Sequence, residues 1–383
     1  MAKNKLSTTA TRRKFLGGAA VAGVATIAMP QVSRAQTVTL KMQGSWGAQD
    51  IINDYAKDYV SKVNAMGGGR LKIDYLNAGA VVKAFSVMDA CHSGVLDGGH
   101  TVPAYWYGKH RAASLFGTGP AYGFNGSQFL GWFYYGGGKQ LYRELTQDVL
   151  KLNVVGFYVF AFQTQPLGWF KKEISGPEAF KGLKYRTVGL ASNVIQAMGA
   201  SVAQLPGPEI LPAMEKGVIE AFEFNNPTSD MRFGAQDVAK YYYMGSYHQA
   251  SEAIEVLYNK AKWDSLAKEQ QEILLLAGEA ANSDDIWKSW DLYSRDLVTL
   301  VTKHGVHVKR TPTSIFKAQL EAWDKVEKEL LANPQQAPMI KKILDSQRAW
   351  AGRVGFYYHN NEADYKTAWE HHFGPLEKYQ PKA

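Results

Sequence analysis

The sequence predicts an α/β protein of two lobes with one long helix reaching across both. Three observations carry this expectation. The mature chain opens with strands and helices in alternation, which implies a partly parallel, twisted sheet with right-handed crossovers. The 383 residues allow about two domains, and a hydrophobic content of 46% can fill two cores. Leu266 to His304 reads as helix for most of its length, and at a rise of about 1.5 Å per residue such a helix spans two lobes.

The first 35 residues read as an address. Thr11-Arg12-Arg13-Lys14-Phe15-Leu16 fits a twin-arginine export signal. The apolar run that follows, Phe15 to Met29, is too short to span a bilayer and rich in Gly and Ala. Ser33-Arg34-Ala35 offers small residues before a cut ahead of Gln36; an uncleaved N-terminal anchor is the competing reading. Lys3, Lys5, Arg12, Arg13, Lys14 and Arg34 lie here with no acid, so six of the eight net positive charges belong to the leader and +2 remains. A nearly neutral mature chain gives no electrostatic reason to propose nucleic acid as a partner. Cys91 is the only cysteine, so neither an intrachain disulfide nor a Cys-based zinc site is possible.

In the mature chain Val38 to Trp46 reads as a strand. A helix follows with Ile51, Ile52, Tyr55, Tyr59, Val60 and Val63 on one face, stopped at Gly67-Gly68-Gly69. Leu71, Ile73 and Tyr75 alternate with Lys72 and Asp74 as a second strand. A helix from Phe85 to Val95 leads to a strand at Gly98 to Val102. Tyr105-Trp106-Tyr107 then reads either as a pocket wall or as an aromatic plug on the sheet edge. Gln128 to Leu150 is expected to be helical with a break at Gly136-Gly137-Gly138, and Val154 to Phe162 is a strongly apolar strand.

Gln165 to Arg186 reads as two short strands joined by a helical turn, with Ser175 and Glu178 in capping-box spacing around Pro177. Leu190 to Gly199 is a helix, Val202 to Leu205 a strand, Glu209 to Lys216 a helix ended by Gly217, and Val218 to Phe224 a strand. Ala253 to Tyr258 returns as a strand. In the long helix that follows, Ser283 is placed to cap a second segment. Val306 to Val308 is a short strand, followed by helices at 313–332 and 337–353 and an aromatic tail.

Arg186 comes late in its strand, and ligands meet α/β sheets at the carboxyl ends of strands. A guanidinium there can form two parallel hydrogen bonds to a carboxylate, which Lys cannot. A strand-end arginine reaching water or pairing with a surface acid fits the same residues. Glu223, between Phe222 and Phe224 at a strand end, needs a partner if buried. Other chemistry is missing from the pattern. The sequence holds no G-x-S-x-G, no H-E-x-x-H and no dinucleotide fingerprint; Gly131 and Gly136 have phosphate-loop spacing but Gly137 stands where Lys is required. His92, His248 and His359 are isolated. No nucleophile–base arrangement is readable, which weakens an enzymatic reading.

Gln165 to Ile174 (Q-x-x-G-W-F-x-K-E-I), Gly182 to Arg186 (G-L-K-Y-R), Leu205 to Glu223 (L-P-G-P-E-I-L-P-A-M-E-K-G-V-I-E-A-F-E) and Asp237 to Tyr243, with His248 nearby, together resemble the periplasmic solute-binding receptors of TRAP transporters. The nearer likeness is to the branch that binds 2-oxo acids and lactate, over essentially the whole mature chain. The resemblance implies a two-lobed periplasmic-binding-protein fold of type II-like form, braced by the long helix. It implies lobe I at 36–160 with about 252–283, lobe II at 161–251 with about 284–350, and a C-terminal tail at 351–383 that packs back or meets a second copy.

The resemblance further implies a non-enzymatic receptor of the periplasm that delivers a small monocarboxylate to membrane permease subunits. Arg186 would bind the ligand carboxylate in bidentate fashion. A bridging Na⁺ or Ca²⁺ would be held by the Gln165 side-chain oxygen, the Glu223 carboxylate and the Phe224 carbonyl, all hard oxygen donors. Gln165, Tyr105 from the other lobe, Asn225 and His248 complete the expected ligand contacts. The chain departs from the branch at Phe224, where Trp is usual, and at Asn225 and Asn226, which replace smaller residues. An exported enzyme acting on organic acids and a sugar receptor of an ATP-driven importer are the alternatives.

Overall fold

The alternation at the start of the mature chain folds as parallel strands around a helix. The computed structural model describes residues 37–382 apart from Pro120, Ala121 and Phe124, so the predicted export signal and its cleavage point lie outside the described residues. In chain order the strands are β1 (Val38–Gly44), β2 (Leu71–Leu76), β3 (Gly98–Thr101), β4 (Val154–Phe162), β5 (Gly168–Phe170), β6 (Lys184–Arg186), β7 (Ser201–Ala203), β8 (Ala221–Phe222), β9 (Tyr241–Met244), β10 (Glu252–Asn259) and β11 (His307–Arg310). They form two sheets, ordered β2-β1-β3-β10-β4 and β11-β9-β5-β8-β6-β7. In the first, β1 runs parallel to both β2 and β3, and β10 is antiparallel to β3 and β4.

The helix Ile51–Met66 covers the first sheet. Asp50 caps it by accepting from the Ile52 N–H, and Ile51, Ile52, Tyr55, Tyr59, Val60 and Val63 are buried. The chain passes to the second sheet after β4, returns for β10, and then enters one unbroken helix, Lys268–Thr302. This helix packs on β4 and Ile51–Met66 in the first half and on the helix Pro227–Phe233 in the second, so it braces both. Lys62 on the first helix bonds Asp284 on the brace at 2.7 Å, and the Tyr55 and Tyr293 hydroxyls meet at 3.3 Å. Among the described residues no helix is long and apolar enough to cross a membrane.

Several expected details differ. Ser283 caps nothing: its hydroxyl bonds back to the Glu279 carbonyl at 3.4 Å, one turn earlier, and the brace continues. Ser175 is one residue too early to cap. Gly176, in extended backbone, precedes the turn Pro177–Phe180, which has no side-chain cap. The stretch expected as one strand at 218–224 pairs only at Ala221–Phe222, because the Val218 and Ile219 N–H groups still close the preceding turn onto Ala213. Conversely, Ala337–Asn361 runs further than expected, packed on the first half through Trp132 to Ser346 (3.0 Å) and Gln347 to the Leu115 carbonyl (2.9 Å).

Candidate functional site

β6 ends at Arg186, and its two neighbours supply the partners. β8 runs parallel beside it with Phe222 opposite Arg186, so Glu223 follows one step beyond the pairing. β7 lies on the other side with Ala203 opposite, and Leu205 two residues on. The arginine is 1% exposed. Its Nε and Nη2 donate to the Leu205 carbonyl at 2.9 and 2.7 Å. Its Nη1 donates to the Glu223 carbonyl at 2.8 Å and to Glu223 Oε1 at 2.9 Å. These bonds use four of the five guanidinium N–H groups and leave one on Nη2.

Glu223 is equally buried, and Thr187 and Gln249 also hydrogen-bond its carboxylate. Burial pushes its pKa up, while the Arg186 charge pulls it down. Gln165 sits in the segment crossing from β4 to β5. Its backbone N–H donates to the Gln249 carbonyl at 3.2 Å, and its Nε2 donates to Glu252. Its Oε1 is buried with no donor facing it. A buried amide oxygen in that condition calls for a ligand or cation.

Glu252 is a site residue that sequence reasoning missed, as are Thr187 and Gln249 on the Glu223 carboxylate. Glu252 opens β10 in the first sheet, 3% exposed, and so comes to Gln165 and Glu223 from the other half. Burial, joined by the nearby Glu223 charge, pushes its pKa up to about 8. The signal was available: Glu252 and Glu255 are acids in an otherwise apolar strand, the pattern that singled out Glu223. Asn225 lies against the same group, with one terminal atom of its amide 3.1 Å from Glu252 Oε2 and 2.8 Å from the Phe224 carbonyl.

Tyr105 arrives from the turn after β3, its ring packed on Phe85 at 4.5 Å and Trp46 at 5.8 Å. Its phenol lies in the field of Arg186, Glu252, Glu223 and Asp50, and burial pushes its pKa up. His248 is not brought to this group. Its Nδ1 is 2.6 Å from Ser246 Oγ and its ring meets Tyr185 edge-on, with centroids 6.5 Å apart. Tyr185 precedes Arg186 in β6, and successive strand residues face opposite ways, so the histidine is on the far side of the strand from the guanidinium. Burial holds it neutral, with its pKa pushed down to about 3. The neighbouring Gln249 makes the contact with Glu223 instead.

The arrangement sets one buried guanidinium against two buried carboxylates, a carbonyl and an amide oxygen without a partner. With both carboxylates ionised, a divalent cation and one small anion together would neutralise it, and with Glu252 protonated a monovalent cation and the anion would; unpaired buried charges cost several kcal/mol each. The donors are all hard oxygens, which suits Na⁺ or Ca²⁺.

Residues 42–335 match the family model described as bacterial extracellular solute-binding protein, family 7. The chain is 30% identical over 366 residues to a monocarboxylate 2-oxoacid-binding periplasmic protein of Nostoc sp., covering 93% of this chain and 98% of that one. It superposes with TM-score 0.80 and 29% identity on a TRAP periplasmic solute-binding protein from Colwellia psychrerythraea with bound calcium and pyruvate, covering 88% and 100%. A second such protein, from Pseudoalteromonas atlantica T6c with bound sodium and pyruvate, gives TM-score 0.76 and 30% identity over 86% and 100%.

Proposed function

This chain belongs to bacterial extracellular solute-binding protein family 7, a family of receptors rather than enzymes, and from that premise we propose that it captures a small 2-oxo monocarboxylate together with a calcium or sodium ion for delivery to a membrane permease. The observation that carries the reading is the group around Arg186: its unpartnered Gln165 oxygen calls for a cation, and the guanidinium N–H left on Nη2 calls for an anion. Gln165, Glu223, the Phe224 carbonyl and Glu252 hold the cation. Arg186 takes the carboxylate, and Tyr105 closes over the ligand from the other half. His248 stands behind β6 and has a packing role.

The cation also frees the arginine. With Glu223 bonded to Nη1, one N–H remains for a ligand; a Glu223 carboxylate turned to a cation releases a second, and a bidentate bridge becomes possible. A sugar receptor would leave this buried ion group without a use. The relatives described as binding pyruvate or 2-oxo acids support the ligand class. The twin-arginine signal supports delivery to the periplasm by that route. The C-terminal helices present Phe356, Tyr357, Tyr365 and Phe373 to solvent, which supports pairing with a second copy there.

Native mass spectrometry of the protein purified from periplasm tests the reading. The expected result is one small monocarboxylate and one calcium or sodium ion per chain, both lost on denaturation. A chain that carries neither, and takes up neither from added pyruvate and calcium, overturns it.

A further inference from the structure

The terminal atoms of the Asn225 amide have different surroundings. The inner one faces the Phe224 carbonyl at 2.8 Å and Glu252 Oε2 at 3.1 Å; the outer one is 3.4 Å from Ser229 Oγ. Which atom is nitrogen is decided by the network, since the two have the same shape. With nitrogen inward, its two hydrogens serve the carbonyl and the carboxylate, and no cation is required. With oxygen inward, it stands against two further oxygens, a repulsion that a cation among them relieves.

The outer side reaches across the molecule. Ser229 lies in Pro227–Phe233, in the half built on the second sheet, and its hydroxyl donates to Asp50 Oδ2 at 2.9 Å. Asp50 caps the helix Ile51–Met66 of the first half. When the outer amide atom is nitrogen it donates to Ser229 Oγ, and the serine hydrogen is free to go to Asp50. When the outer atom is oxygen, the single serine hydrogen has two acceptors competing for it.

We propose that the Asn225 amide turns over when the cation binds, becoming a cation ligand on its inner side and committing the Ser229 hydroxyl to Asp50 on its outer side. Cation occupancy is thereby relayed to a bond that joins the two halves. This rests on the cation site proposed above but assigns Asn225 a role outside the ligand contacts expected for it.

The test is calorimetric titration of calcium chloride into chelator-stripped protein in excess potassium pyruvate. Asn225→Leu should weaken calcium about 10-fold or more, as loss of one donor does. Asn225→Asp keeps an oxygen and should stay within a few-fold of wild type. Ser229→Ala should weaken calcium about threefold alone and have no effect in either Asn225 variant, the signature of a coupled pair. Wild-type affinity in Asn225→Leu, or an effect of Ser229→Ala that persists in Asn225→Asp, overturns the relay and leaves the receptor reading intact. A wild-type protein that binds no calcium under these conditions overturns both.

Discussion

Arg186 and Glu223 were legible because each is a charged residue at the end of a strand with apolar neighbours, whereas Gln165, in the segment between β4 and β5, was singled out only by the family resemblance. Glu252 was not singled out, since its meeting with Glu223 depends on how two sheets distant in sequence come together. The same holds for Asp285 on the brace helix, fully buried with neither carboxylate oxygen accepting a hydrogen bond. Burial, with Asp58 adding to it and Lys288 and Lys62 opposing, pushes its pKa from 3.8 up to about 8. The unfolded chain releases this proton near pH 4 while the folded chain keeps it to about 8. Between those limits the folded state binds more protons, so the group's contribution to stability falls as pH rises. Asp285→Asn should therefore gain on wild type in scanning calorimetry as pH rises from 5 to 8, reaching about 2–4 °C at pH 8. A gain that shrinks with rising pH contradicts this account.

At the level of elements, Gly168 sets the distance between the segments that carry Gln165 and Glu223. It has φ +118°, and a Cβ there would stand 2.1 Å from the Phe222 carbonyl oxygen and 2.9 Å from Glu223 Cα. Gly168→Ala must push β5 away from β8 and part those two residues. The variant should melt lower than wild type, by a loss of about 2 kcal/mol or more, and lose any calcium-induced rise in melting temperature. A calcium shift equal to wild type would show that the spacing is unimportant. Elements with clear periodicity, such as Ile51–Met66 and β10, were readable from sequence almost to their ends. Pro227–Phe233 was missed because seven residues hold too few turns for a pattern, although Asn226 accepting from the Ser229 N–H and Pro227 in the first turn form an ordinary start signal. β9 was missed as a strand because three consecutive tyrosines show no alternation.

Across the whole molecule, several contacts join the halves, among them Tyr107 donating to Asn193 at 2.6 Å and the Leu190 N–H donating to Ser114 Oγ at 3.1 Å. The brace helix packs on both. Glu252 and Tyr105 from the first half meet Arg186 and Glu223 from the second. At the rim, Arg232 donates to Asp54 at 2.7 Å and to the Gln49 carbonyl at 3.4 Å, beside the Ser229–Asp50 bond. Rim ion pairs of this exposure contribute little, about 0–1 kcal/mol. The buried group is what a bound ligand adds to these contacts, and its central charge is Arg186. Removing one partner of a buried charge pair costs about 3–5 kcal/mol, enough for more than 100-fold in affinity. Calorimetric titration of pyruvate in the presence of calcium, comparing wild type with Arg186→Ala, is the most direct measurement. Binding in the wild type that is weakened by 100-fold or more in the variant is the expected result; affinity within a few-fold of wild type in Arg186→Ala would contradict it.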